Sequence, residues 1–335
     1  MTTTEEHKPF EASAVPLTAH KESVANKLFG GVSLVSASLI LVTLAAVATF
    51  LLVEAWPALT DTSGELAAKV DWIRPEMGQS LIQIVGYLVF GTVLISAIAL
   101  LIATPLSIGI ALFISHYAPR KLAAGLGYVI DLLAAIPSVV YGLWGAIVVL
   151  PVLQPFYNWL GDNLGWIPLF APDPLTGTVS NTGRVALSAG IVLAIMIIPI
   201  ITAVTREVFL QTPVLHEEAA LAMGATRWEM VRMAVFPFGR SGMIGATMLG
   251  LGRALGETMA VYMILSPGLS YSFAILQGGL HNTIAANIAL KFPEANSEGV
   301  SALIAMGLAL FVITLLVNML ARWIVSRRSE FSGAN

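Results

Sequence analysis

Six long apolar stretches alternate with polar segments along the chain, and they limit the folds open to it. An α-helix needs about 20 residues to cross the hydrocarbon core of a bilayer. The stretches that reach this length are residues 28–53, 81–115, 123–153, 185–210, 242–265 and 300–325. Because a chain surrounded by lipid must satisfy its backbone hydrogen bonds internally, such stretches cross as helices. The sequence therefore predicts an all-α integral membrane protein with six transmembrane helices.

The composition agrees with a membrane protein. Hydrophobic residues make up 57% of the chain and charged residues 11%, and the mean hydropathy is +0.83. Soluble domains carry about a quarter charged residues. The chain has no cysteine, which excludes disulfides, cysteine-ligated metals and a thiol nucleophile. With a net charge of -3 and no nucleotide-binding loop, catalytic pair, metal cluster or nucleic-acid motif in the sequence, we expect no enzymatic activity, no cofactor and no nucleic-acid partner.

The distribution of basic residues predicts the orientation. With both termini in the cytoplasm, 12 of the 17 lysines and arginines lie on the cytoplasmic side, 4 lie outside, and Arg253 lies within a span. Cytoplasmic loops of membrane proteins carry such an excess. The second stretch could hold one helix or two short spans meeting near Pro105, and only one long helix preserves the bias.

The polar segments suggest how the chain is divided. Residues 1–27 carry no cleavage-like site and are expected to form a disordered cytoplasmic tail before an anchor helix at residues 28–53. Residues 81–325 would form the main transmembrane domain, and residues 326–335 a second cytoplasmic tail. In the outer loops, the segment 273–290 is too polar and short to span, and we expect an interfacial or re-entrant helix there.

A polar loop between the fourth and fifth stretches, residues 212–237, predicts a helix, a turn and a second helix. Thr212 can cap the first helix, and Gly224 can end it in a left-handed conformation. Thr226 and Glu229 have the spacing of a capping box, which starts the second helix. Taken alone, such a loop suits either a partner-binding element or an ordinary amphipathic hairpin.

The same loop resembles the EAA motif, E-A-A-x3-G-x9-I-x-L-P, of the membrane subunits of binding-protein-dependent ABC importers. The matching residues are Glu218, Ala219, Ala220, Gly224 and Pro237, whereas Ala234 and Phe236 depart from the Ile and Leu of the pattern. The resemblance implies that the loop is the coupling helix, which sits in a cleft of a cytoplasmic ATPase. It also implies that ATP is hydrolysed by that separate subunit.

Two opposite charges lie within the fifth apolar stretch. An arginine near the centre of a membrane helix costs about 2.5–3.5 kcal/mol, so Arg253 should face a protein interior or an aqueous path. Glu257 follows four residues later, which would place it on the same face of one continuous helix. Two interpretations stay open at this point: Arg253 contacts a passing oxyanion and Glu257 positions it, or the two form a buried ion pair that fixes helix register.

Small residues also recur along this fifth stretch at spacings that let helices approach closely. One set repeats every four residues, and a second pair follows on another face; in order these are Gly242, Ala246, Gly250 and Ala254, then Gly252 and Gly256. The fifth stretch is thus expected to be an inner helix that packs closely against its neighbours and has one charged face.

In the third stretch, we expect Asp131 near the N-terminal end of the span and a bend at Pro137.

Three segments resemble the PstC-type permeases of phosphate-specific (Pst) ABC importers: residues 103–109, 131–145 and 252–261. The resemblance implies a type I importer permease (MetI-like) fold in a bacterial inner membrane. It implies that the chain forms half of a pathway for inorganic phosphate, with Arg253 and Glu257 in that pathway. The implied partners are a PstA-type permease, two copies of a PstB-type ATPase, a PstS-type phosphate-binding protein and membrane lipid. The alternatives are a permease for another oxyanion, such as sulfate or molybdate, and a proton-coupled secondary transporter.

Overall fold

The computed structural model describes residues 24–60, 69–70, 72–73 and 80–326. Within them the chain is helical, and its only β-type pairing is one antiparallel bridge between Val185 and Gly278. The α-helices are α1 (Val24–Thr60), α2 (Leu81–Leu112), α3 (Arg120–Ala134), α4 (Ser138–Trp144), α5 (Leu150–Leu164), α6 (Ala186–Leu210), α7 (Val214–Ala222), α8 (Arg227–Met230), α9 (Phe236–Leu255), α10 (Met259–Ile264), α11 (Ile284–Lys291) and α12 (Ser297–Ser326). The chain divides into two compact units, Met1–Phe50 and Leu51–Asn335. The predicted terminal tails lie mostly outside the described residues.

Three π-helical segments extend or join these helices, and each ends two residues before a proline. The segments are Phe113–Tyr117, Gly145–Val149 and Val231–Val235, and the prolines that follow are Pro119, Pro151 and Pro237. Proline lacks a backbone N–H and its ring clashes with the carbonyl four residues earlier, so a regular α-turn is strained there. Before Pro151 and Pro237 the wider π-turn lets the helix continue past that clash, whereas the π-turn before Pro119 ends its helix.

Five helices of the described part are long and apolar enough to cross a membrane: Leu28–Thr60, Leu81–Tyr117, Ser138–Leu164, Ala186–Leu210 and Ser297–Trp323. The second apolar stretch is therefore one long helix, as predicted. The all-α membrane fold is confirmed, and five of the six predicted spans have a counterpart. The predicted span at residues 242–265 is not one helix, because α9 ends at Leu255 and α10 begins at Met259.

The third apolar stretch also differs from its prediction as a single helix over residues 123–153. The chain breaks at Ala135–Pro137, where α3 ends and α4 begins, and the helix that could span runs from Ser138 to Leu164. Pro137 does not bend the helix but breaks it, because it cannot donate to Leu133 and its ring crowds that carbonyl. Asp131 consequently lies near the C-terminal end of α3, not near the N-terminal end of a span. Its carboxylate is 3.9 Å from Arg206 Nη2.

The core is built around α6, which packs against α2 and α9. Small residues permit these approaches: a Cβ on Gly250 would lie 2.7 Å from Ile201, and one on Gly242 would lie 2.4 Å from Val208. Ala246 is fully buried in the same seam. The four-residue repeat of α9 is therefore the packing face that the sequence predicts. The second pair of small residues, Gly252 and Gly256, is not packed in this way, because a Cβ on Gly252 would meet nothing within 4 Å.

The connection between α10 and α12 was predicted to form a helix over residues 273–290. Only Ile284–Lys291 is helical, and the preceding segment is irregular, with turns and a single bridge residue, Gly278. That segment pairs with the loop before α6: Ser180 N–H donates to Leu276 O at 3.1 Å and Leu187 N–H donates to Ile275 O at 3.1 Å. These long-range backbone bonds replace the local ones of a helix, which explains why the local pattern was misleading.

Candidate coupling loop and substrate pathway

The loop between α6 and α9 folds largely as its local signals predict. Helix α7 ends in a Schellman motif: Gly224 has a φ of 86°, its N–H donates to Leu221 O at 3.0 Å, and Ala225 N–H donates to Ala220 O at 3.2 Å. The start of α7 is different from the prediction. Its N-cap residue is Pro213, and the buried Thr212 hydroxyl has no hydrogen-bond partner, because the helix begins one residue too late for Thr212 to reach its first N–H groups.

The predicted capping box at the start of α8 is present. Glu229 N–H donates to the Thr226 hydroxyl at 3.3 Å, and Thr226 N–H donates back to Glu229 Oε2 at 2.8 Å. The Thr226 N–H and then its hydroxyl stabilise the carboxylate, so the pKa of Glu229 is lowered. The turn between α7 and α8 is thus fixed on both sides by hydrogen bonds.

The EAA residues divide between a packed face and an exposed face. Ala220 is buried against Phe209 and Val231, whereas Glu218, Ala219 and Gly224 are exposed. The exposed face also carries large apolar side chains, namely Leu215, Met223 and Trp228, which are 77%, 80% and 55% exposed. An acidic residue surrounded by exposed apolar groups is a surface suited to a protein partner.

The remaining residues of the motif connect the loop to α9. Phe236 N–H donates to Val231 O in the last π-turn, and Pro237 follows in the first turn of α9. Ala234 is buried, and Phe236 is half-buried and packs against the cluster that contains Ala220. The two departures from the EAA pattern therefore lie inside the protein, away from the exposed face of α7.

Glu217 is a residue that sequence reasoning missed. Its Oε1 lies 3.3 Å from His116 Nε2, and His116 Nδ1 lies 2.7 Å from Ser115 Oγ. His116 belongs to the π-turn that ends the span Leu81–Tyr117, so this contact ties α7 to the end of that span. The spacing of Glu217, Ala220 and Gly224 along one helix face was the available signal, because Glu217 shares the packed side with Ala220.

A second site lies where α9 gives way to α10. Helix α9 ends with Gly256 as its C-cap, and Glu257 Oε1 accepts the N–H of Ala260 at 3.1 Å. Arg253 and Glu257 are therefore not one turn apart on a continuous helix, contrary to the prediction. Glycine is a poor helix former, and the Glu257 carboxylate stabilises the start of the next helix instead of pairing with the arginine.

The environments of the two charged residues differ. Glu257 is 7% exposed, whereas Arg253 is half-buried and no carboxylate of the described residues lies within 4.0 Å of its guanidinium. Helix α4 packs directly on α10, since a Cβ on Gly142 would lie 2.8 Å from the Cα of Ala260. The two helices that follow chain breaks, α4 and α10, thus lie side by side, and Arg253 is in the last turn of α9 before the second break.

The comparisons with known proteins agree on one family. The family described as "Binding-protein-dependent transport system inner membrane component" matches residues 103–330. The chain belongs to this family. It is 44% identical over 301 residues to "Phosphate transport system permease protein PstC 2" of Mycobacterium tuberculosis, covering 88% of this chain and 90% of that protein. It is 36% identical over 342 residues to "Phosphate transport system permease protein PstC" of Mesorhizobium japonicum, covering all of both chains.

Among solved structures, the inward-facing MetNI methionine ABC transporter matches with a TM-score of 0.54 at 15% identity. The match covers 76% of this chain and 98% of that chain. At this identity the match shows the fold alone, and that fold is the predicted MetI-like permease fold. As a member of the inner-membrane-component family with five candidate spans, the chain is a multi-pass membrane protein that works with an ATPase and other subunits.

Proposed function

We propose that the chain is the permease subunit of an ATP-driven importer of inorganic phosphate and forms half of its translocation pathway. Relatives at 36–44% identity are named phosphate transport permeases, and they cover most or all of the chain. The observation in the structure that carries the proposal is Arg253, a half-buried arginine with no carboxylate partner in the described residues, beside the break before α10. Its planar fork of N–H donors matches the oxygens of a tetrahedral oxyanion.

The partners and orientation belong to the same proposal. A PstA-type permease would complete the pathway, and a PstS-type protein would deliver phosphate from outside. The complex would contain two PstB-type ATPase subunits, one of which would bind the exposed face of α7 through Glu218. Both termini would lie in the cytoplasm of a bacterial cell with the chain in its inner membrane. The excess of lysine and arginine on the side of the coupling loop supports this orientation.

Reconstitution tests this proposal. The chain would be co-expressed with these three partners and placed in liposomes, and uptake of radiolabelled phosphate would be measured with and without ATP. We expect uptake that requires ATP and the binding protein and that sulfate and molybdate do not inhibit. Transport of sulfate or molybdate in place of phosphate would identify a different oxyanion permease. Uptake by this chain alone, driven by a proton gradient, would identify a secondary transporter.

A further inference from the structure

A cavity of about 240 Å³ lies at the opposite end of α10 from Arg253. The residues that line it come from the loop before α6, from α10 and the segment after it, and from α11. They include Arg184, Tyr262, Leu265, Asn282 and Leu290. We propose that this cavity is a second binding site for a tetrahedral oxyanion, with Arg184 as its charged ligand. The inference rests on the proposed function, because it assigns an earlier binding site on the same translocation pathway for phosphate.

The guanidinium of Arg184 has donors to spare. In the described part of the chain its one hydrogen bond runs from Nη2 to Leu265 O at 3.5 Å, at the limit of hydrogen-bond length. No carboxylate there lies within 4.0 Å of it. A guanidinium carries five N–H donors, and Arg184 is an exposed residue, so most of its donors are open to solvent and to a ligand at the mouth of the cavity. An unpaired, permanent positive charge at a cavity attracts an anion before any other solute.

The position of Arg184 is fixed by its backbone. Ser266 N–H donates to Arg184 O at 3.2 Å, and Arg184 N–H donates to the Thr182 hydroxyl at 3.4 Å. The next residue, Val185, forms the bridge to Gly278. The guanidinium is thus carried by a segment that is held on both sides, which reduces the entropy lost when it binds a ligand.

Asn282 contributes a neutral polar group to the lining of the cavity. It is 5% exposed, its Oδ1 accepts Thr283 N–H at 2.9 Å, and its Nδ2 donates to Asn287 Oδ1 at 3.3 Å. An amide nitrogen has two N–H groups, so one on Asn282 is left for a ligand. Tyr262 and Leu290, which also line the cavity, are aromatic and apolar, and Tyr262 is 44% exposed, so the cavity is open to solutes.

The two arginines are separated by one short helix. Arg253 precedes the break before α10, and Arg184 reaches the carbonyl of Leu265, which follows the last residue of α10. Six residues of α-helix span about 9 Å. Conduction requires sites that bind well enough to admit an ion and weakly enough to release it, and successive sites satisfy both needs. The outer cavity would receive the anion, and Arg253 would accept it next.

Site-directed labelling tests the outer site by binding. The chain has no cysteine, so Leu290→Cys places a single thiol in the cavity wall, and its labelling can be followed by the mass of this chain. The probe is inorganic phosphate, added to the membrane-embedded complex without its binding protein. We expect phosphate to slow labelling, and we expect Arg184→Gln, but not Arg253→Gln, to abolish this protection. Equal labelling with and without phosphate would overturn the proposal.

Transport supplies the second measurement. We expect Arg184→Gln to lower phosphate uptake at least about tenfold while complex yield is unchanged, and Arg184→Lys to recover part of it, because one charge-assisted contact is lost or weakened. Lys291→Gln is the matched control, since it removes a positive charge at the end of α11 from a residue that does not line the cavity. Equal uptake by Arg184→Gln and this control would overturn the outer site. A parent complex that imports no phosphate while Leu290→Cys is still protected would overturn the proposed function and not the site.

Discussion

Arg253 keeps its charge at any pH that a cell reaches, and its surroundings do not neutralise it. No carboxylate of the described residues lies within 4.0 Å of its guanidinium, and the nearby Glu257 accepts a hydrogen bond from Ala260. An uncompensated charge in a membrane protein is costly, and such residues mark ion pathways. The two residues of the predicted pair therefore have different roles: Arg253 carries a charge without a carboxylate partner, and Glu257 accepts a hydrogen bond at the start of α10.

For Arg253 we expect that Arg253→Gln lowers phosphate uptake at least about tenfold without reducing the yield of the complex, because the fixed charge is lost and no partner is left unpaired. Arg253→Lys should recover only part of the uptake, since a point charge lacks the bidentate fork. Uptake in proteoliposomes and complex yield are the two measurements.

A double substitution distinguishes this from an ion pair. Glu257→Gln retains an oxygen that can accept the Ala260 N–H, so it should assemble normally. Combining Glu257→Gln with Arg253→Gln should not restore the phosphate uptake that Arg253→Gln loses. Recovery of both uptake and yield in the double variant would show that the two charges act as a pair.

Two adjacent glutamates in α7 make different contacts and give a matched comparison. Glu217 bonds to His116, whereas Glu218 is exposed. We expect Glu218→Lys to abolish binding of the ATPase, because it reverses a charge on the docking surface. Glu217→Ala should leave the ATPase bound but lower uptake per ATP hydrolysed, because α7 loses its link to the span Leu81–Tyr117. Co-purification and the ratio of phosphate imported to ATP hydrolysed separate the two effects, and identical behaviour of the two variants would contradict the assignment.

At the scale of elements, the turn after α7 makes the loop rigid. The φ of 86° at Gly224 is in the left-handed region, which costs a residue with a Cβ about 1–2 kcal/mol. We expect Gly224→Ala to lower the unfolding temperature of the complex and to weaken coupling. Gly125→Ala is the control, because Gly125 lies in α3 where a Cβ meets nothing within 4 Å, and alanine favours a helix. An equal change in unfolding temperature for the two variants would mean that the left-handed turn is not what matters.

The elements also show what the sequence can predict. The Gly224 stop and the Thr226–Glu229 box were predicted correctly, because each depends on residues within one turn. The breaks at Pro137 and Gly256 were not, because hydropathy continues across both and a membrane helix can also bend at a proline or a glycine. Whether the helix breaks there depends on the packing of the segments that follow, here α4 on α10. Glu217 was missed for a similar reason, since His116 is about a hundred residues away in sequence. Long-range partners decide these features, and a single sequence does not contain them.

At the scale of the whole molecule, the helices divide by task. The long helices α2, α6 and α12 supply apolar length for crossing a membrane, and α6 is the most buried of the candidate spans. The chain is interrupted at Pro137 and at Gly256, and the helices that follow the two breaks, α4 and α10, pack against each other. Irregular backbone at membrane depth is tolerated only where it is buried in protein or lines a cavity. We therefore expect the two breaks to lie in the proposed pathway, and residues 212–237 to form the surface that binds the ATPase.

The proposed topology predicts which side of the membrane the loops at the two ends of α6 occupy. Leu175 and Met223 are 94% and 80% exposed, and they lie in loops at the two ends of α6, so single cysteines there should react readily in a chain that otherwise has none. We expect a membrane-impermeant thiol reagent to label Leu175→Cys in intact cells, and to label Met223→Cys only after the membrane is permeabilised, because basic residues concentrate on the side of the coupling loop. Labelling of Met223→Cys in intact cells would place that loop outside, where no ATP is available, and would rule out its role as the coupling element.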